Sequence, residues 1–421
     1  MSSPPQYRSE GTLPPSFRGV LAIALGAFAL VVTEFLPVGL LPDISRDLGV
    51  SEGTTGLVVT ATALLGAVAA PTATVLIRHL DRRTALLGLT GLLIVSAVLS
   101  ALAHSFLLLI VARIILGIAV GGFWAISMTA AGRLVRPEKV ATASATVLGG
   151  ISVASVVSVP AGAYLGAHAD WHIAFAAAAV LGAVVMAVQA VVLPRIPMDQ
   201  KVSVSSFARL LRLAPIRIIL LTVVLFVAGH FIAYTYITPM LQHESGFGPT
   251  AASALLLGYG IVTCLGNFAG GYLAARGLFR TVLLTAGLFV VSLLLMAAFT
   301  TTAPVAVSAL AGWALAWGMA PVATQLWLFN TSRHAPEAAQ AMNTSVFQLA
   351  IGLGSLTGAV IVNATAVHSA SWAATAVLVI ATAVVLLARN RTAGASGQEP
   401  PATGTAPETT PPAGQPGLAA R

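Results

Sequence analysis

Thr33-Glu34-Phe35-Leu36-Pro37-Val38-Gly39-Leu40-Leu41-Pro42-Asp43 decides how this chain is read. It lies in a segment, residues 20–41, that is otherwise apolar and long enough to span a bilayer. Glu34 is the one carboxylate deep inside such a segment. Placing an acid in hydrocarbon costs roughly 3 kcal/mol on insertion scales, so an acid retained there points to function. Pro37 removes one helix hydrogen bond and leaves the carbonyl of Thr33 without its usual donor. Asp43 sits at the outer end of the same segment, within reach of water.

Outward from this stretch, the composition describes a chain whose solvent is lipid. Of 421 residues, 57% are hydrophobic and 8% charged, against about 25% charged in soluble domains. The pattern gives twelve spans, at 20–41, 55–77, 84–103, 106–130, 140–166, 172–193, 216–241, 251–275, 281–301, 303–328, 337–364 and 368–388. The expected fold is an all-α integral membrane protein, with twelve transmembrane helices as two pseudo-symmetric six-helix bundles around a central cavity. Its parts are an amino-terminal arm (1–17), a first bundle (18–193), a central loop (194–215), a second bundle (216–388) and a disordered tail (389–421). The arm is polar and Pro-rich, without the pattern of a signal peptide, so the first span is expected to be retained.

The net charge of +8 raises the question of nucleic acid. The placement of the charges answers it. Arg8 and Arg18 in the arm, then Arg78, Arg82, Arg83, Arg133, Arg136, Lys139, Arg195, Lys201, Arg209, Arg212, Arg217, Arg276, Arg280 and Arg333 fall in alternate loops, and Arg389, Arg391 and Arg421 in the tail. The opposite loops carry Arg46 alone, and Arg113 lies inside a span. Such a bias puts both termini in the cytoplasm, with anionic lipid rather than nucleic acid as the electrostatic partner.

The halves repeat. The loops after spans 2 and 8 align at an offset of 197, and Gly121 and Gly318 share it. Pro137-Glu138 and Pro336-Glu337, at the entries to spans 5 and 11, are 199 apart. Transporters built from such repeats hold substrate near the midplane between halves.

Glu34 and Arg113 are opposite charges placed at similar depth, which makes Arg113 the candidate partner. Two readings stand. Either Glu34 takes and releases a coupling proton while Arg113 tunes its proton affinity or contacts substrate, or the two form a permanent ion pair between spans. His230, mid-span in Gly229–Pro239, is either a proton relay or substrate contact, or a neutral histidine satisfied by a carbonyl. Phe231 and Tyr234 are candidates to line the cavity. Trp124, Asn267, Gln325, Asn343 and Gln348 are polar groups inside spans, read either as substrate contacts or as links between helices. Asn343 and Gln348 are favoured for the cavity, lying beside the small-residue run Gly352, Gly354, Gly358. The Gly-x-x-x-Gly pairs Gly117/Gly121, Gly162/Gly166, Gly266/Gly270 and Gly354/Gly358 are expected to allow close helix packing. There is no phosphate-binding loop, no metal-ligand spacing and no nucleophile paired with a base. No metal, no cofactor and no enzyme activity are therefore expected.

Several groups carry a family resemblance. The stretch from Thr33 to Ile44, Arg113-Ile114-Ile115-Leu116-Gly117, the segment Gly229–Pro239, and Pro160 with Gly162 and Gly166 followed by Trp171 and Phe175 are similar to motifs of one branch of secondary transporters. Over residues 18–390 the chain resembles the major facilitator superfamily, in its bacterial drug:proton antiporter branch of sugar- and arabinose-efflux-like proteins. That resemblance implies a monomer in the bacterial inner membrane that exports a small organic molecule (drug, antibiotic or sugar-like) against protons by alternating access. It also implies a gating loop at Arg78, Asp81, Arg82 and Arg83, with Arg276 and Arg280 in the second copy. Here Thr74, Arg78 and Asp81 replace the family's first Gly, its Asp and its second Gly; Ala275 replaces the acid of the second copy, and Val159 a glycine before Pro160. The residues by themselves leave a proton symporter or a non-transporting membrane sensor as alternatives.

Overall fold

The computed structural model describes residues 16–76, 80–196, 210–332 and 336–395. Arg78, most of the central loop and the tail beyond Ala395 lie outside them. The long helices are α1 (Phe17–Leu48), α2 (Glu52–Leu76), α3 (Arg82–Ala101), α4 (Phe106–Arg133), α5 (Val140–His168), α6 (Trp171–Val192), α7 (Ala214–Tyr234), α8 (Pro249–Ala298), α9 (Ala303–Thr331), α10 (Pro336–Ala364) and α11 (Ser369–Ala395).

Their starts follow from local chemistry. Ser16, Asp81, Ser105 and Asp170 cap α1, α3, α4 and α6, each accepting from a free backbone N–H of the first turn. Gly49, at φ 62°, ends α1 in the left-handed conformation that a residue with a Cβ disfavours. Helix α8 has 50 residues, about 75 Å at 1.5 Å per residue, more than twice the hydrocarbon thickness. It bends at Gly277, whose ψ of 85° is not helical. Residues 249–276 and 278–298 are therefore separate spans, and the twelve expected spans are present. Several bounds differ from expectation, and the span expected at 216–241 is broken: α7 ends at Tyr234, followed by a short helical turn, Ile237–Pro239, and a π-helical turn, Met240–Glu244. Helix α1 continues to Leu48, seven residues beyond the apolar segment, so Asp43 is inside a helix, paired with Arg46 at 3.2 Å. Helix α11 runs on to Ala395, past the expected start of the tail.

The first six spans pack as α1 on α5, α2 on α4 and α3 on α6. In the second six, α8 folds back on α9 and α11, and α7 packs on α10 and α11. Backbones approach closely where glycine removes the side chain. A methyl on Gly117 or Gly121 would strike the α2 backbone, and one on Gly162 would strike α1. The same holds for Gly266 and Gly270 against α9, and for Gly354 and Gly358 against α7. The repeat is visible in these contacts. Gly121 meets the carbonyl of Gly66 and Gly318 that of Thr263, so both members of the pair shift by the sequence offset.

The halves meet through α2 on α10 and α5 on α8. Hydrogen bonds between them run from the level of Glu34 to the end of the bundle away from the termini. There, Ser51 donates to Asn363 (2.5 Å), Ser355 to the Gly56 carbonyl (3.1 Å) and Tyr236 to the Gly53 carbonyl (3.3 Å). His243 lies 2.9 Å from Glu52. Thr238 donates to the Val38 carbonyl at 2.8 Å. That carbonyl is free because Pro42, four residues on, has no N–H. The far end of the bundle is thus the closed end.

Candidate functional site

Glu34 is 4% exposed and faces the second half, where Gln348 of α10 donates to its Oε1 at 3.2 Å. This bond joins α1 and α10 across the seam. Arg113 is fully buried, but it does not pair with Glu34. Its Nη1 donates to the Thr33 carbonyl at 3.0 Å and its Nη2 to Ser100 Oγ at 2.7 Å, with the guanidinium 4.7 Å from the Phe175 ring centroid. Of the two readings, the permanent ion pair has no contact behind it here, and proline chemistry supplies Arg113 with another acceptor. Pro37 leaves Thr33 with a backbone acceptor that no helix amide reaches, and the arginine fork fills it. The cation is thereby held at the residue next to Glu34 while the carboxylate is committed to the opposite half. Nε of Arg113 keeps no partner.

His230 sits in a box of rings. Trp317 stacks on it at 3.7 Å and 2°, and Tyr234 at 4.6 Å and 25°. Two rings parallel to one imidazole occupy its two faces. Trp313 Nε1–H donates to Nδ1 at 3.0 Å, which places the imidazole proton on Nε2, where no acceptor meets it. His230 shares no hydrogen bond with Glu34 or Arg113 and is 0% exposed. Phe231 lies edge-on to Trp317 at 5.6 Å and stacks on Phe35 of α1 at 5.7 Å. Phe347, next to Gln348, lies 6.0 Å from Trp317. The half-buried rings of Phe35, Trp317 and Phe347, with buried Phe231, therefore form an aromatic wall beside the Glu34–Gln348 bond.

The other candidates separate. Trp124 packs edge-on to Phe123 within the first half. Asn267 lies at the α8–α9 crossing, and Gln325 donates to Gln340 at 3.1 Å, linking α9 to α10. Asn343 is half-buried, with its Oδ1 unpartnered. Of the gating loop, Asp81 caps α3 and accepts from the N–H groups of Arg83 and Ile196, both at 2.9 Å, and from Thr84 at 3.0 Å. Partial burial raises its pKa, but these donors outweigh that and hold the carboxyl below the ordinary range. Arg82 is 5% exposed, and Arg83 donates to the Ala190 carbonyl at 2.6 Å. These bonds tie the loop to its own half. Arg276 lies 3.9 Å over the Tyr272 ring, and Arg280 lines the bend at Gly277. The sequence reading missed Trp317, Phe35 and Phe347. The four-residue spacing of Trp313 and Trp317 on one helix face was the available signal.

Comparison with known proteins bears on this geometry. The family model described as Major Facilitator Superfamily matches residues 23–359 and 219–416. The chain belongs to the Major Facilitator Superfamily. Among curated proteins it is 31% identical over 353 residues to the purine ribonucleoside efflux pump NepI of Salmonella paratyphi A, covering 84% of this chain and 89% of the relative. The same named pump of Escherichia coli K12 is 31% identical over 344 residues, covering 82% and 87%. Among solved structures, the nucleoside transporter NupG (D323A mutant) superposes with a TM-score of 0.73 at 12% identity, covering 88% of this chain and 98% of that one. A D-xylose-proton symporter gives a TM-score of 0.73 at 17% identity, covering 88% and 97%. These likenesses show the superfamily fold. This superfamily member is a multi-pass membrane transporter of small molecules and not an enzyme.

Proposed function

We propose that the chain exports purine nucleosides or closely related small molecules across a bacterial cytoplasmic membrane, exchanging them for protons. The observation that carries the coupling is the buried Glu34 carboxylate at the seam between the halves, bonded to Gln348, with Arg113 docked at the neighbouring carbonyl. The names of the curated relatives support both the substrate class and the direction.

The Lys and Arg bias assigns the terminal end of the bundle to the cytoplasm and the closed far end to the outside. In this state substrate arrives from the cytoplasm. An ionised Glu34 accepts from Gln348 and holds the halves together at mid-depth. Protonation from outside, once the far end opens, removes that charge from the seam. Return to the present state releases the proton inward, beside the fixed charge of Arg113. His230, closed between two rings and bonded to Trp313, positions the aromatic wall in this scheme.

The test uses purified protein in liposomes with an imposed proton gradient. Glu34→Gln abolishes gradient-driven accumulation of inosine while one-for-one nucleoside exchange persists. Undiminished gradient-driven accumulation by this variant refutes the coupling. Release of protons from an acid interior on adding substrate separates exchange from symport.

A further inference from the structure

Helices α9 and α10 run side by side but touch at few points. Two contacts bracket the space between them. Toward the terminal end, Gln325 donates to Gln340; toward mid-depth, Trp317 meets Phe347. Asn343 lies between Gln340 and Phe347 on that face of α10, at the spacing of successive helix turns. Its counterpart on α9 is Pro321, between Trp317 and Gln325.

Both partners bring unspent hydrogen-bonding capacity. Asn343 offers two donors and an acceptor, and its buried Oδ1 meets no partner. Pro321 has no N–H, so the Trp317 carbonyl lacks its helix donor. The Gln325–Gln340 pair shows that a side-chain amide bond is readily made between these helices. Asn343 makes none, although a buried polar group left unmet is costly. One turn along the same seam, against Phe347, stands the half-buried indole of Trp317, backed on one face by His230 at 3.7 Å and braced edge-on by Phe231. An indole held rigid on one side is a platform for a flat ring on the other.

We propose that Trp317 and Asn343 form the base subsite of the transporter, with Trp317 stacking a purine ring and the Asn343 amide pairing with the edge that carries the 6-substituent. A side-chain amide presents an adjacent donor and acceptor. It matches the O6 and N1–H of a 6-oxopurine, and, turned over, the N6–H and N7 of adenine. A purine without a 6-substituent offers the ring nitrogens alone and forfeits one of the two bonds. This assignment rests on the export of purine nucleosides proposed above.

The experiment measures inhibition of inosine transport in liposomes by unlabelled inosine and by purine riboside, which lacks the 6-substituent. The unsubstituted protein prefers inosine by about tenfold or more, the discrimination of a paired amide. In Asn343→Leu and Asn343→Ser the preference collapses to within about twofold. Trp317→Leu weakens both ligands equally and keeps their ratio, and Trp317→Phe restores most of the affinity. The proton released per nucleoside stays unchanged in the Asn343 variants. If both Asn343 variants transport inosine with the original preference, the subsite is refuted. If the unsubstituted protein moves no purine nucleoside, the export reading itself falls.

Discussion

Replacing Arg113 by alanine strips the Thr33 carbonyl of its side-chain donor, and Pro37 ensures that no backbone donor stands in. The second acceptor of Arg113 is less exposed to this loss, because Ser100 Oγ still donates to the Ser96 carbonyl at 2.8 Å. A buried acceptor left without a donor costs about 1–3 kcal/mol. Pro37→Ala supplies the missing N–H. Helix α1 is helical through residue 37, so the new amide points at Thr33, four residues back. Arg113→Ala should therefore be less destabilising in a chain that also carries Pro37→Ala than in one that keeps the proline. Polar pairs in membrane proteins couple by about 0.6 kcal/mol on average. An acceptor with no alternative donor belongs above that, at about 1–2 kcal/mol. The assay is a double-mutant cycle, with unfolding in mixed micelles by graded SDS followed through tryptophan fluorescence. Gradient-driven transport stays lost in the double variant, because the new amide carries no charge. Additivity of the two substitutions to within about 0.5 kcal/mol refutes the account of the freed carbonyl.

Two further outcomes follow from other parts of the molecule. With Cys264→Ser as background, Ser51→Cys and Asn363→Cys place thiols where a 2.5 Å hydrogen bond now joins the halves. A short bifunctional maleimide should then stop transport in the double variant and in neither single one; continued turnover of cross-linked protein would show that the far end need not open. Asp81→Asn keeps the oxygen that caps α3 and meets Ile196 but puts an amide NH2 in place of the oxygen that accepts from Thr84, at a cost of about 1 kcal/mol at neutral pH. The Asp81 carboxyl is held below its ordinary range, so its stabilisation is complete above the unfolded pKa and fades as pH falls through the folded one. The gap in melting temperature between the two proteins should narrow on acidification, and a constant gap would remove the carboxylate from the explanation.

How much could be read without coordinates depends on the range of each interaction. The spans were legible because lipid forces every backbone group to be satisfied locally, which leaves long apolar helices as the solution. The break at Gly277 was legible as a short polar interval between two such segments. The consequences of proline were legible for the same reason, since a missing N–H frees the carbonyl four residues earlier in any helix. Which group takes that carbonyl was not. Arg113 is 80 residues from Thr33, and its charge suggested the neighbouring acid instead.

By itself, then, the sequence determined that the chain is a twelve-span duplicated membrane protein, with one intramembrane acid at Glu34 and an open acceptor at Thr33; the open acceptor at Val38 came to light only with a helix that continues through Pro42. The tertiary structure alone decided where these groups are spent: Thr33 on Arg113, Val38 on Thr238 of the opposite half, and Glu34 on Gln348, 314 residues away. It also decided that Trp317, from another helix, covers the face of His230 that Tyr234 leaves open. Periodicity says which face of a helix is polar. Only the packing of the two halves says what that face meets.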